Sequence, residues 1–275
     1  MSRGTAVGSR PGPGGVMRAK LGSFLQRQGA LVTLALVGVF GFARYEHFLT
    51  EENLTNVLRQ NSMLGLVALG MTFVILTGGI DLSVGSLVAV AGVVAASLSD
   101  QGLPAAVLAG AGFSTALGLA NGLVIAKARI QPFVVTLAMM IAARGLALAY
   151  TGERSVSVDV SAGAFRELAR GEVGPGAFAI PYPVLILVAA YALGWLMLNY
   201  TRFGRHVYAL GDNEEAARLM GLNIGRVTVG VYTLSGALAG VAGVLLASRL
   251  GSGQPVAAVG WELDAIAAVV VGGTL

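Results

Sequence analysis

The sequence predicts an all-α fold, a polytopic helical membrane protein of about eight apolar segments with broken or re-entrant helices and an incomplete last segment. Three observations carry this. The chain is 55% apolar and only 12% charged, with a mean hydropathy of +0.77, a composition outside the range of water-soluble domains. Its charges collect in the gaps between apolar runs. One such run, residues 62–99, is so long that as a single helix it would measure roughly 57 Å, nearly twice the about 30 Å hydrocarbon core of a bilayer.

That run, SMLGLVALGMTFVILTGGIDLSVGSLVAVAGVVAASLS, carries a single charge, Asp81, just behind Gly78 and Gly79. The glycines and the charge mark a break between Ser62–Ile80 and Leu82–Ser99, each about one membrane thickness. Lipid cannot solvate an ionised carboxylate, so Asp81 is expected to face protein or water. Two compatible roles suit it: capping the helix that follows Leu82, where backbone N–H groups and the dipole favour a carboxylate, and lining a transport path.

Upstream, residues 1–28 carry Arg3, Arg10, Arg18, Lys20 and Arg27 with no acidic residue, and begin rich in Gly, Pro and Ser. They are expected to form a basic, disordered, cytoplasmic tail, followed by a membrane domain over 29–275. Gly29–Ala43 is a short first span, uncleaved because no small-x-small cleavage site precedes Tyr45. Residues 44–61 read as a mixed-charge connector in which Thr50 and Asn53 open a short amphipathic helix.

After the broken pair, Leu103–Ala126 is a span containing Asn121, ended by Lys127 and Arg129. Pro132–Ala143 is too short to cross upright, so the helix is read as continuing past Arg144 to Tyr150, with the guanidinium turned inward or snorkelling. Residues 151–176 are polar, and their FRELARGE segment, with an Ala164/Phe165/Leu168 stripe, is expected on the membrane surface. Ala177–Tyr200 and Val227–Ser248 are further spans, and Ala265–Leu275 ends the chain. The polar loop 201–226 holds a short helix over Glu214–Met220, capped by Asp212 or Asn213 and stopped by Gly221.

Alternation from a cytoplasmic N-terminus places the tail, 127–131 and 201–226 on the cytoplasmic side, the side favoured by Lys and Arg. The same count sets the Gly78–Asp81 turn near that surface. The four arginines of 144–176 fit this alternation least well. The net charge of +4 is thus a matter of topology and gives no reason to expect nucleic acid. Forty glycines suit close helix packing in lipid, with Gly118-x-x-x-Gly122 and Gly236-x-x-x-Gly240 as candidate contacts.

Cysteine is absent, which excludes disulfides, thiolate chemistry and Cys-ligated metal. His47 and His206 are isolated, so no metal cluster is expected. No phosphate-binding loop, Gly-x-Ser-x-Gly elbow or His-Glu-x-x-His occurs. Charges within apolar runs reduce to Asp81, Arg144 and Asp264, a pattern that favours transport over catalysis and implies no cofactor. A self-sufficient secondary transporter competes with this reading; it would show coupling-ion residues and an inverted repeat, and neither stands out.

Gly70-Met71-Thr72 through Leu76-Thr77-Gly78-Gly79-Ile80-Asp81-Leu82-Ser83-Val84-Gly85-Ser86 resembles the signature of the membrane subunit of bacterial ABC importers for ribose and related monosaccharides. Asn121-Gly122, the stretch Ile130-Gln131-Pro132-Phe133-Val134-Val135-Thr136-Leu137 and the stretch Gly204 to Gly221 follow in the same order as in that family, and the resemblance is nearly continuous from residue 48 to 275. Similar members continue beyond the Val269–Thr274 stretch, so the chain is read as truncated at its C-terminus.

The resemblance implies a permease of the inner membrane that works as a pair, most simply a homodimer. It implies a cytoplasmic ATP-binding subunit on one side and a periplasmic sugar-binding protein on the other. It makes Gly78, Gly79, Asp81, Ser83, Asn121, Gln131, Pro132 and Thr136 candidates for the translocation path or helix break. It makes Gly211, Asp212, Asn213, Glu214, Glu215, Ala216, Ala217, Arg218, Met220 and Gly221 candidates for coupling to the ATPase.

Overall fold

The computed structural model describes residues 29–174 and 179–274, residue 30 excepted; the basic tail 1–28 and the start of the Ala177–Tyr200 run lie outside the described residues. The chain divides into two units, 1–54 and 55–275. In the first, α1 (Leu31–Arg44) is a short apolar helix. Its Gly41 lies against the Phe48 ring, and Asn53 Nδ2 donates to Phe48 O at 2.8 Å. Thr50 Oγ1 accepts from Asn53 N at 3.4 Å, as expected of a residue opening α2 (Glu51–Leu76). That helix runs without interruption into the span, so the expected separate connector helix is simply its first turns.

The second unit continues with α3 (Val84–Ser97), a 3₁₀ turn at Ser99–Gln101, α4 (Leu103–Ala128) and α5 (Pro132–Thr151). After these come β1 (Val156–Ser157), α6 (Gly163–Arg170), β2 (Glu172–Val173) and β3 (Ile180–Pro181). Then follow α7 (Tyr182–Tyr200), α8 (Arg202–Asp212), α9 (Glu214–Leu219), α10 (Ile224–Leu250), β4 (Ser252–Gly253) and α11 (Trp261–Val271). Five of these helices, α2, α4, α5, α7 and α10, are long and apolar enough to cross a membrane. Among the described residues α1 and α3 are shorter apolar helices, and α11 overlaps the last expected segment. Large apolar side chains left bare on α4, α5 and α7, such as Leu108, Ile141 and Leu193, are what a lipid-facing surface requires.

One expectation fails in an informative way. At 14 residues, α3 extends only about 21 Å, too short for a span, because residues 77–83 form a non-helical break of turns instead of helix. Protein compensates for the missing length: every α3 residue except Val94 and Ser97 is buried, and α4, α5, α10 and β4 surround the helix. Non-helical backbone at membrane depth is tolerated only in such company.

The core is the packing of α3, α4 and α10. The two Gly-x-x-x-Gly stretches meet through one glycine of each: a Cβ on Gly118 would lie 2.8 Å from Gly236 Cα, while one on Gly240 would lie 2.8 Å from Ala111 Cα. Backbones this close need glycine, and Ser114 Oγ uses the proximity to donate to Gly236 O at 2.7 Å.

The elements gather at two ends. At one, the C-terminus of α2 meets α8, where Gly211 abuts Leu76 O, and the 129–132 turn lies near α9 and the start of α10. At the other, β1 pairs antiparallel with β4 and β2 with β3, and Arg59 pairs with Glu172. There α6 docks on α10: Ser248 Oγ donates to Phe165 O at 2.6 Å and accepts from Ala169 N at 3.0 Å. The FRELARGE helix therefore buries Phe165 and Ala169 against protein, with Ala164 exposed. The helix that was expected to continue past Arg144 does so, and its guanidinium turns inward: Nη1 donates to Pro255 O at 2.8 Å and Ala257 O at 2.7 Å.

Candidate translocation and coupling site

Asp81 is wholly buried. Helix α3 begins at Val84 rather than Leu82, so Asp81 lies three residues ahead of it and grips the break from within. Its Oδ1 accepts from Ser83 N at 3.0 Å and Ser83 Oγ at 2.6 Å, and its Oδ2 accepts from Ser235 Oγ at 2.8 Å. Asn121 Nδ2 donates to Ser83 Oγ at 3.0 Å. The chain of donors runs from Asn121 on α4 through Ser83 to Asp81, and from Ser235 on α10 to the same carboxylate. Arg144 is committed to loop carbonyls, and the described residues place no salt-bridge partner at Asp81.

The depth of this cluster corrects the expected position of Asp81 near the surface. Ser235 lies eleven residues into α10, about 16 Å along its axis, so the carboxylate sits well inside the bundle. Residues 77–83 climb to it from the end of α2. Thr136, one turn into α5, packs on this climb, its Oγ1 2.9 Å from Pro132 O and 3.3 Å from Ile80 O.

Below the cluster opens a chamber of about 730 Å³. Its wall joins the two sets of residues singled out in the sequence: Gly78, Gly79, Gln131 and Pro132 from the first, Glu214, Arg218 and Gly221 from the second. Gln131 and Pro132 are the first residues of α5, the proline at the position where its missing N–H costs nothing. Tyr232 also lines the chamber and donates from Oη to Ile80 O at 3.4 Å. Asp81, Ser83, Asn121 and Thr136 do not reach the chamber wall.

In the 201–226 loop the structure has two helices where one was expected. Gly211 and Asp212 end α8, and Asn213 caps α9, its Oδ1 accepting from Ala216 N at 2.9 Å. Of the two proposed caps, Asn213 is the one used. Arg218 pairs with Glu214 at 2.8 Å, one turn apart. Ala217 is buried, Ala216 half-buried, and Glu215, Leu219 and Met220 are exposed. Gly221, at φ +80°, reverses the chain towards α10.

Sequence reasoning missed Ser235 and Tyr232, and a lone serine or tyrosine in an apolar helix offers no spacing signal. It also missed a legible one. Gly79-Ile80-Asp81-Leu82 recurs as Gly260-Trp261-Glu262-Leu263. Each copy lies between a long helix and a short one, the first within the break from α2 to α3 and ending just short of α3, the second running into α11 after α10, and the two long helices run in opposite directions. Among the described residues no group of three His, Asp or Glu side chains gathers to hold a metal.

A buried broken helix with a polar hinge, above a chamber that reaches an exposed polar helix pair, defines a multi-pass membrane transport protein. The chain belongs to the family of branched-chain amino acid transport system permease components, whose model matches residues 53–275. It is 43% identical over 257 residues to the ribose import permease protein RbsC of Escherichia coli, covering 92% of this chain and 78% of that one. It is 42% identical over 262 residues to RbsC of Bacillus subtilis, covering 94% and 78%. To the L-arabinose transport system permease protein AraH of Escherichia coli it is 37% identical over 254 residues, covering 92% and 76%. No solved structure matches the chain. The protein is a transport component, not an enzyme.

Proposed function

We propose that this chain is the permease subunit of an ATP-driven importer and forms the path for a monosaccharide such as ribose or xylose. The observation that carries this is the 43% identity to a ribose import permease over 92% of the chain, a stretch that includes the break, the hinge cluster and the α8–α9 pair. A cytoplasmic ATP-binding subunit would dock on α9, where Glu215, Leu219 and Met220 are exposed, and an external sugar-binding protein would deliver substrate at the opposite end. A second copy of the permease would complete the path.

We read the end with α8 and α9 as cytoplasmic, and the N-terminus, with its run of basic residues, as cytoplasmic too. The arginines that seemed to oppose this orientation are largely accounted for. Arg144 is inside α5, Arg166 donates to Val158 O at 3.0 Å and Arg170 to Arg249 O at 3.1 Å, so they act as structural donors more than as topology signals.

The test is uptake of labelled pentoses and hexoses in cells expressing the chain together with an ATP-binding subunit and a sugar-binding protein of a ribose importer. Uptake should need all three and stop when ATP is depleted. Uptake driven by an ion gradient without ATP would favour a secondary transporter and sink the proposal.

A further inference from the structure

The two repeated motifs meet inside the protein. From Gly253 the chain descends along α3: a Cβ on Gly253 would lie 2.5 Å from Gly92 O, and one on Gly85, seven residues nearer the α3 start, would strike Ala258 O and lie 2.6 Å from Glu262 Oε2. Residues 253–260 thus re-enter the bundle by about 10 Å of helix rise and end where α11 begins, beside the first turn of α3. Hinge 77–83 approaches the same turn from the opposite end.

The two re-entrant segments are held differently. Residues 77–83 are fastened by side-chain donors to a fully buried carboxylate. Residues 253–260 are anchored at Gly253 by the pairing of β4 with β1 and, beyond that anchor, are fastened through their backbone by Arg144 Nη1 donating to both Pro255 O and Ala257 O. Immediately after these carbonyls, Ala258 adopts φ +53°, a left-handed conformation that costs an L side chain energy. Val256 and Val259 are exposed. The segment therefore pairs a strained residue with one guanidinium that can release two bonds at once.

We propose that residues 253–260 are a movable gate on the substrate-entry half of the path, and that Arg144 is the positioning residue that holds it closed. This rests on the importer reading for its direction, though the movement itself does not depend on which sugar is carried. Loss of the two bonds lets Ala258 relax and lifts the segment from the glycine face of α3. Glu262, the counterpart of Asp81, moves with it.

The natural absence of cysteine makes the movement measurable. Ala89 is buried at 1% exposure and shares with Gly253, Gln254 and Ala257 a gap with no room for water. A thiol introduced by Ala89→Cys should be inert to a membrane-impermeant maleimide in the resting full transporter. Adding Arg144→Met, which keeps length but removes the donors, should raise its labelling rate at least tenfold and cut uptake at least tenfold, with ATP hydrolysis retained. Arg144→Lys should restore much of the protection. Labelling of Ala89→Cys with Arg144 intact should also rise when ATP drives the cycle, a reading available even if the Met variant fails to insert. A thiol equally protected in every state, or uptake within twofold of the parent in the Met variant, overturns the gate. ATP-independent uptake would instead fault the importer reading.

Discussion

Ser235 Oγ donates to Asp81 Oδ2 at 2.8 Å, tying the α2–α3 break to a helix 154 residues further along the chain. With Ser83 Oγ and N on the other oxygen, both carboxylate oxygens are engaged, and the non-helical hinge is tied to itself through Ser83 and to α10 through Ser235. This predicts a graded response. Asp81→Asn keeps one oxygen for Ser83, and the Ser235 hydroxyl can turn to accept from the new amide. Uptake should stay above a tenth of the parent at equal membrane abundance. Asp81→Ala strands donors in a buried site, at about 1–3 kcal/mol for each unsatisfied group, and should lower thermal stability in detergent. An Asn variant below a tenth of parental uptake at equal abundance would show that the charge itself serves transport.

The α4–α10 contact makes a separate prediction. A Cβ on Gly236 would lie 2.7 Å from Ser114 O and 2.9 Å from Gly118 Cα, whereas one on Gly112 of the same helix pair meets nothing within 4 Å. Gly236→Ala should therefore destabilise by about 1–3 kcal/mol through overpacking, and Gly112→Ala should be neutral or stabilise by up to about 1 kcal/mol through helix propensity. Melting of the detergent-solubilised protein distinguishes them. Equal melting temperatures would mean that the two helices do not pack on these glycines.

Asp81 was legible as the one charge in a run too long to be one helix, and the glycines before it marked the break. The length of α3 was not legible, because the glycines and the charge mark where the break begins but nothing in Leu82 and Ser83 tells how far past Asp81 it runs. The partner of Asp81 was not legible either: Ser235 is a small polar residue in a glycine-rich helix, a position that sequence alone reads as packing. Arg144 shows the opposite case. Its place in an otherwise apolar run demanded an inward partner, and the structure supplies two backbone carbonyls, those of Pro255 and Ala257. In the α8–α9 region the capping residue was visible, whereas α8 was not, since its GRHVYALGD stretch mixes charge and apolar residues without a clean boundary.

At α9, charge reversal tests docking against mere folding. The Glu214–Arg218 pair is well exposed on both sides, at 59% and 63%, and such pairs contribute only about 0.3–0.5 kcal/mol. Glu215→Lys combined with Arg218→Glu should therefore leave α9, still capped by Asn213, in place and the permease inserted. ATP hydrolysis should become uncoupled from uptake. If the double variant binds the ATP-binding subunit and transports normally, α9 is an ordinary surface helix.

Gly79 and Tyr232 meet where the chamber gives way to the buried cluster. A Cβ on Gly79 would lie 2.6 Å from Tyr232 Oη, with Val74 Cγ1 at 3.3 Å, and Tyr232 is itself 1% exposed with its hydroxyl directed at Ile80 O. Gly79→Ala must push the phenol away from the climb that leads to Asp81, at an overpacking cost of about 1–3 kcal/mol. Tyr232→Phe removes the obstructing oxygen for the loss of one long hydrogen bond. The two changes should therefore be coupled: Gly79→Ala alone lowers melting temperature and uptake, and Gly79→Ala with Tyr232→Phe regains much of both. The expected coupling lies in the 0.5–3 kcal/mol range found for residues in contact. A double variant no better than Gly79→Ala alone would mean that the glycine is required by the backbone of the break and not by the tyrosine above it.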